Sequence, residues 1–417
     1  MIEWHLNRSF QGLVEKKNTN KFLGLSAIIS GENRLEGHQL RLSLIKLLDD
    51  TSIKFDLFGK HRHNLKNYRG PLQFKDEGLR DYKYHIAIEN CAEKGYFTEK
   101  LVDGILSDCL CFYWGAPDID QYIDPRAIIQ LPLHNLELSV EVIRLALEKD
   151  IYQERLPFIQ NEKKRILYGW SLFPTIDRLL SGINPPSIPT FVINLDNRPE
   201  RYFKFTEVMY GIPYKRFSAI NGREMKLSGN GELDRIVQDR GYPKKNPYKY
   251  HSKEPGVIGC MLSHMTLWEN LVTDKEAAEY AIFEDDIIPH PEFLKMWCTL
   301  HARLKKIDYD LCFMGYLDDL PIYNDEVAFQ DTYKGTDEKE TVLTLRSFSH
   351  QARRNGGGTH GYVVSKKGAE KLLSFAHKYG VPQPIDWFMI EMFPFLKAFK
   401  CDPHLIEQTN EFVSDVQ

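Results

Sequence analysis

The chain has 417 residues, 42% apolar and 27% charged, enough for two or three ordinary globular domains of about 100–200 residues each. Its 54 Lys and Arg stand against 58 Asp and Glu, a formal net charge of −4, which argues against nucleic acid as the main partner. No apolar run reaches the ~20 residues that cross a bilayer, and MIEWHLNRSF has no apolar signal-peptide core, so no membrane-spanning segment is expected.

Seven cysteines lie scattered, several within apolar runs such as CLCFYWG and LCFMGY. The odd count and burial read as reduced thiols, which places the chain in the cytoplasm. Cys109 and Cys111 lack a second pair at zinc-finger spacing. The clearest boundary is Ser181–Pro189 (SGINPPSIP), whose prolines cannot continue a helix. Residues 1–183 are read as one domain, 184–189 as a linker and 190–417 as a second domain.

In the first domain LGLSAIIS, IKFDLFG, YHIAIEN, CLCFYWG and AIIQLPL read as strands. HQLRLSLIKLLDD and TEKLVDGILSD read as the helices between them, and LSVEVIRLALEKD and ERLPFIQNEKKRILYGW as closing helices. Strands separated by helices predict a parallel, doubly wound sheet that binds ligands at its carboxyl ends. One strand ends at Glu89, and a loop leads to a helix starting near Thr98, whose free N–H groups suit an anion. Lys100 in the first turn opposes the helix dipole unless a diphosphate sits there. Glu89 is placed to accept from ribose hydroxyls and Arg41 to grip phosphates. Taken alone, Arg41 and Lys100 also read as an exposed helix face.

The series SAIISG, HQLRLSLIKLL, FDLFGK, YHIAIEN, GYFTEKLVDGIL and FYWGAPDIDQYI, from about Leu23 to Ile129, resembles glycosyltransferase family 10, the α-fucosyltransferases. The resemblance implies the Rossmann-like donor half of a GT-B fold and a GDP-sugar, with inversion that needs no metal. It implies donor contacts from Ser30, Arg41, Tyr84, Glu89, Asn90, Thr98, Glu99 and Lys100. The family's catalytic base lies on the preceding half, and this chain starts about twenty residues before the donor half. Three expectations follow: a partner supplies the acceptor half, the module binds without transferring, or it is structural.

In the second domain PTFVINL is a strand, followed by a helix from about Arg198. GCMLSHMTLWENLV is a helix, YAIFEDD and DYDLCFMGY are strands, and THGYVVS is a strand running into the helix KKGAEKLLSFAHK. Polar loops are expected at Leu227–Glu254, as a lid, and near Asp331–Lys339. The strand AIF delivers Glu284, Asp285 and Asp286 together. Three adjacent acids repel unless a cation or donors offset them, and a divalent metal shared with a diphosphate does so. A solvated acidic turn is the other reading.

The ordered series VINLDNRPERYFKF, SAINGRE, PGVIGCMLSHMTLWENLV, the acidic strand end, GGGTHGYVVSKKGAEKLL, PIDWFM and HLIEQTNEFVSDVQ, from Pro189 to Gln417, resembles glycosyltransferase family 25. That group comprises lipopolysaccharide-type and collagen-modifying galactosyl- or glucosyltransferases. The resemblance implies a GT-A-like α/β domain, a UDP-sugar, and Mn²⁺ or Mg²⁺ on Glu284, Asp285 and Asp286. Asn194, Asp196 and Arg198 would lie near the nucleotide, although Asp196 or Asn197 also reads as a helix cap. Ser263 and His264 would lie near the site, although a helical His is equally a packed core residue. Thr359 and His360 sit between glycines that admit a substrate. Asp286 and Asp386 are the catalytic candidates, Asp386 as general base for the acceptor hydroxyl or, alternatively, as a cap or salt bridge. Trp387 is placed to stack on a sugar or simply to pack.

The expected reaction is inverting transfer of galactose or glucose from a UDP-sugar to a glycan, a lipopolysaccharide-type acceptor or a hydroxylated protein. A lectin-like scaffold and a nucleotide-sugar hydrolase are the rival expectations.

Overall fold

The structure, a computed structural model, describes residues 3–15, 21–60, 64–183, 185–224, 255–318, 327–334, 340–347, 356–379, 381, 384–409 and 411. The chain divides into two units: Met1–Ser181 with Tyr210–Pro213, and Gly182–Met209 with Tyr214–Gln417. Both are mixed α/β, as the sequence predicts. Among the described residues no helix is long and apolar enough to cross a membrane.

The first unit is built on β1 (Leu23–Ile28), β2 (Phe55–Phe58), β3 (Tyr68–Gly70), β4 (Tyr82–Ile88), β5 (Leu110–Trp114) and β6 (Ile128–Gln130). They form one sheet in the order β3-β2-β1-β4-β5-β6, with every pairing parallel. β5 (LCFYW) is buried along its whole length, the continuous apolar run of a strand covered on both faces. The helix Glu99–Leu106 buries Leu101, Val102, Ile105 and Leu106. Its N-cap is Thr98, whose hydroxyl accepts from the Lys100 N–H. Three-residue β3 carried no periodic signal and was not anticipated.

The second unit has β7 (Thr190–Asn194), β8 (Lys215–Ser218), β9 (Glu279–Glu284), β10 (Ile287–Pro289), β11 (Leu311–Asp318), β12 (Val327–Lys334), β13 (Glu340–Ser347), β14 (Gly356–Ser365), β15 (Ala398–Asp402) and β16 (Ile406–Gln408). Eight of them make a mixed sheet, β12-β13-β15-β11-β14-β9-β7-β8, and β10 pairs with β16. β7 and β9 run parallel with Ile193 opposite Glu284, and β14 runs antiparallel to β9 with Gly361 opposite Phe283. That register brings Asn194, Glu284, Thr359 and His360 to one end of the sheet. One face of β14 needs its glycine, because a Cβ on Gly361 would stand 2.3 Å from Ile406 Cδ1 and 2.7 Å from Phe283 Cδ1.

The expected loop near Asp331–Lys339 is corrected in part. Asp331–Lys334 continue β12, paired antiparallel with Glu340–Leu343, so the polar residues there edge a hairpin. Positions 335–339 and the proposed lid Leu227–Glu254 lie outside the described residues.

The helix Pro255–Thr273 packs against the helix Lys366–Tyr379 and, through Gly259, against a turn. A Cβ on Gly259 would lie 2.3 Å from Ile220 O and 2.7 Å from Gly222 N. Alanine gains up to about 1 kcal/mol of helix propensity, whereas forcing backbone apart costs about 1–3 kcal/mol. Gly259→Ala is therefore expected to lower the urea midpoint of unfolding; an unchanged midpoint would show that the turn does not pack there.

Candidate functional site

At the carboxyl ends of β7 and β9, a cavity of about 460 Å³ lies against the turn 219–224 and the helix Pro255–Thr273. Asn194, Arg198, Ser263, His264, Glu284 and Asp285 line it, joined by Arg201, Arg223 and Cys260. The acids do not form one bundle. Asp285 turns both oxygens to donors: Oδ2 accepts from Asn194 Nδ2 at 2.7 Å and Oδ1 from Arg201 Nε at 2.7 Å. Asp286 Oδ2 accepts from Arg201 Nη2 at 3.0 Å and Gln408 Nε2 at 3.1 Å. Asp286 Oδ1 is buried without a hydrogen-bond partner. Glu284 Oε1 accepts from the Thr359 hydroxyl and stands 3.4 Å from His264 Nε2, an ion-pair distance rather than a directed hydrogen bond.

The expectation of three equivalent metal ligands is thereby narrowed: successive side chains of an extended segment diverge, and Asp285 has no oxygen to spare. The oxygen left over, Asp286 Oδ1, belongs to a carboxyl that feels the charge of Glu284, a pairing of the kind that takes a divalent ion. Asp286 Oδ1, His264 Nε2 and both His360 ring nitrogens are buried without hydrogen-bond partners, groups that a water, a ligand or an ion would satisfy.

The electrostatics agree. Burial pushes Asp285 up to about 6, against the Arg201 charge and the Asn194 hydrogen bond. Burial and the charge of Glu284 push Asp286 up. Glu284 is also raised by burial, but His264, His360 and the Thr359 hydroxyl outweigh it and hold the carboxylate below its ordinary range.

Other predicted residues take supporting places. Ser263 Oγ donates to Gly259 O at 2.7 Å and accepts from the Ile220 N–H at 2.9 Å, pinning the turn. His264 Nδ1 lies 2.8 Å from the Tyr362 hydroxyl, so it is both packed and at the cavity. Asp196 is displaced from the cavity lining; it accepts from Arg216 Nη2 at 2.6 Å and the Ser218 hydroxyl at 2.8 Å. Neither it nor Asn197 caps the next helix, Pro199–Val208, which has Arg198 at its N-cap without a side-chain bond. Asp386 opens the helix Ile385–Glu391, accepting from the Gly358 N–H at 3.0 Å and the Trp387 N–H at 2.9 Å. Gly358 has φ +91°, where only glycine sits easily. Asp386 and Glu284 both bear on Cys260, whose thiol is pushed well up by burial and then by these charges.

Arg201 was missed, although it stands one helical turn after Arg198 inside the motif already singled out. Gln408 was missed because only tertiary pairing of β16 with β10 brings it to Asp286.

In the first unit a cavity of about 920 Å³ is lined by Ser30, Arg41, Asn90, Glu99 and Lys100, all singled out in the sequence, and also by Arg34, His38, Lys60 and Lys75. Arg41 donates to Ile88 O and the Ser30 hydroxyl, both at 3.3 Å. Burial lowers its pKa, partly offset by the Glu89 charge.

Two expectations need correction. Glu89 is fully buried; it accepts from the Thr98 N–H at 2.8 Å and the Thr98 hydroxyl at 2.7 Å, with Lys100 Nζ at 3.4 Å. It therefore positions the helix start instead of offering itself to a ribose. Tyr84 sits near the start of β4, away from the carboxyl ends. It is 2% exposed, and its hydroxyl contacts Ala146 O and Asp150 and accepts from the Tyr152 N–H, so it is a core residue. His38 was missed; its Nε2 lies 2.9 Å from Asn90 Oδ1.

Both regions carry glycosyltransferase sequence. Residues 187–389 match the model of glycosyltransferase family 25 (LPS biosynthesis protein), and residues 25–157 match glycosyltransferase family 10 (fucosyltransferase) C-term. The chain is 27% identical over 238 residues to procollagen galactosyltransferase 2 of Homo sapiens, covering 53% of this chain and 35% of that protein. It is 30% identical over 207 residues to a glycosyltransferase 25 family member of Drosophila melanogaster, covering 49% of this chain and 30% of that protein. A third relative, inactive glycosyltransferase 25 family member 3 of Mus musculus, is 27% identical over 207 residues, 49% of this chain and 31% of that protein. The chain thus spans about a third of the length of these relatives.

Because Asp285 holds its proton more tightly when folded, folding is favoured as pH falls through about 6. Above that, ionisation costs stability; below the ordinary carboxyl value of about 4 the effect is complete. Without divalent metal, Asp285→Asn is expected to gain on the parent by about 2 kcal/mol between about pH 4 and pH 8, read from urea unfolding at each pH. A pH-independent difference would refute the shift.

Proposed function

We propose that the second unit is a hexosyltransferase that moves galactose or glucose from a UDP-sugar to a hydroxyl of a glycan, a lipopolysaccharide-type acceptor or a hydroxylated protein. The observation that carries this reading is a cavity at the strand ends that joins carboxylates and guanidiniums, inside a family 25 region. Arg198 and Arg223 supply positive charge along its wall, suited to a diphosphate, while Arg201 is held by Asp285 and Asp286. Glu284 and Asp286 Oδ1 would hold Mn²⁺ or Mg²⁺, which when bound neutralises charge on the departing diphosphate. Asp386, anchored by Gly358, takes the proton of the attacking acceptor hydroxyl. Trp387, 49% exposed beside it, offers an aromatic face to the acceptor. One displacement inverts the anomeric carbon. The galactose and protein-acceptor part of the reading is supported by the name of the human relative.

The first unit binds a GDP-sugar in the larger cavity, where Arg34, Arg41, Lys60, Lys75 and Lys100 meet. A partner that supplies an acceptor half would make that unit a transferase. A second reading, folds kept without transfer, is favoured by the relative named inactive.

With Mn²⁺, the full chain is expected to release UDP from UDP-galactose or UDP-glucose faster when acceptor is added, and Asp286→Asn to lose at least about a hundredfold of that rate, near 3 kcal/mol. Release that no acceptor accelerates would mean a hydrolase, and no release with any UDP-sugar would favour the scaffold. Independently, Lys100→Ala is expected to weaken GDP binding about tenfold, the worth of one charge-assisted hydrogen bond. Calorimetry checks this, and equal affinity would move the diphosphate elsewhere.

A further inference from the structure

Cys260 has no role in the transfer just described, yet it lines the same cavity as His264 and Glu284. One donor atom from each of the three lies within 4.8 Å of the others. Cys260 and His264 are four residues apart on the helix Pro255–Thr273 and so share a face, while β9 presents Glu284 to both. His264 is fully buried, and its ring is fixed from behind. Nδ1 lies 2.8 Å from the Tyr362 hydroxyl, which also accepts from Trp268 Nε1 at 3.0 Å. Nε2 is left facing the cluster without a hydrogen-bond partner. A histidine held through one ring nitrogen, with the other turned toward a carboxylate but making no directed hydrogen bond, is the usual preparation of a metal ligand.

We propose that Cys260, His264 and Glu284 form a site for a thiophilic divalent cation, Zn²⁺. Tetrahedral zinc, with Zn–S of about 2.3 Å and Zn–N of about 2.0 Å, separates its ligand atoms by roughly 3.5 Å. His264 Nε2 and Glu284 Oε1 already stand at 3.4 Å, and the thiol lies within 4.8 Å of both, so it has to close by roughly 1 Å at most for the same spacing. On binding, the S–H bond breaks, the proton passes to solvent and an S–Zn bond forms. A thiolate and a carboxylate then match the ion's double charge. Thiolate selects Zn²⁺ over the harder Mn²⁺ and Mg²⁺, so this site differs in kind from the oxygen site read at Glu284 and Asp286. Three protein ligands leave a fourth position open toward the cavity. Because Glu284 serves both sites, Zn²⁺ opposes Mn²⁺ or Mg²⁺; that last consequence alone rests on the transferase reading.

The test uses the full chain, stripped of metal. Zn²⁺ is titrated against a chromophoric chelator, and Co²⁺ is added separately to look for thiolate-to-cobalt absorption in the near ultraviolet. About one equivalent of Zn²⁺ is expected per chain, together with the cobalt band. Cys260→Ser and Cys260→Ala should lose the band and weaken Zn²⁺ at least about tenfold. Tyr362→Phe, which removes the positioning hydroxyl, should weaken it about ten- to a hundredfold while keeping the band. Asp286→Asn should leave Zn²⁺ affinity within about twofold while still removing Mn²⁺-dependent turnover. Circular dichroism confirms that each variant folds. Survival of the band in both Cys260 variants, or a Zn²⁺ affinity that follows Asp286 instead of Cys260, overturns the proposal. Zinc binding as described in a chain that transfers nothing would overturn the transferase reading and leave this site standing.

Discussion

Arg201 meets two carboxylates at once, and the rest of the second unit's cavity is arranged around that contact. Its guanidinium lies 2.6 Å from Asp285 and 3.0 Å from Asp286, with all three side chains at most about a tenth exposed. Buried charges of one sign persist only where opposite charge and hydrogen bonds compensate them. Here two acids share one cation, so the compensation is incomplete, and the unpartnered Asp286 oxygen is where the deficit shows. Asn194, Gln408 and Thr359 relieve the remainder, each from a different strand. The sheet's mixed topology is what allows donors distant in sequence to converge there.

The first unit solves a different problem. A helix start that follows an irregular loop has to be held in place by side chains. Glu89 does this from beneath, tying Thr98 by backbone and hydroxyl while drawing in Lys100. Gly37 allows the neighbouring helix to close on the same segment, since a Cβ there would lie 2.1 Å from Glu89 O. Carboxylate and lysine thus belong to one scaffold, with the lysine on the cavity side.

Much of this was legible in residues alone. The apolar runs of β1, β4, β5, β7 and β9 announce themselves by length and composition, and the acids closing β9 pointed to the site only together with the ordered motifs around them. The helix start near Thr98 was readable from the strand, loop and helix pattern, while its capping hydroxyl came from the structure. What could not be read was direction. Sequence puts Glu284, Asp285 and Asp286 side by side, whereas the extended backbone sends them to different partners. Tyr84 and Glu89 sit in a motif expected to supply donor contacts, yet one belongs to the wrong end of its strand and the other lies under its loop. Short or polar strands such as β3, β8 and β16 gave no periodic signal, so Gln408, which depends on one of them, was invisible.

The close approach of Gly222 and Gly259 has a bearing on selectivity. At that contact the turn meets the helix through main chain alone, Ile220 O and Gly222 N against Gly259, so the two cannot separate there without parting backbone from backbone. Any room for a bulkier occupant of the cavity has to come from the opposite wall.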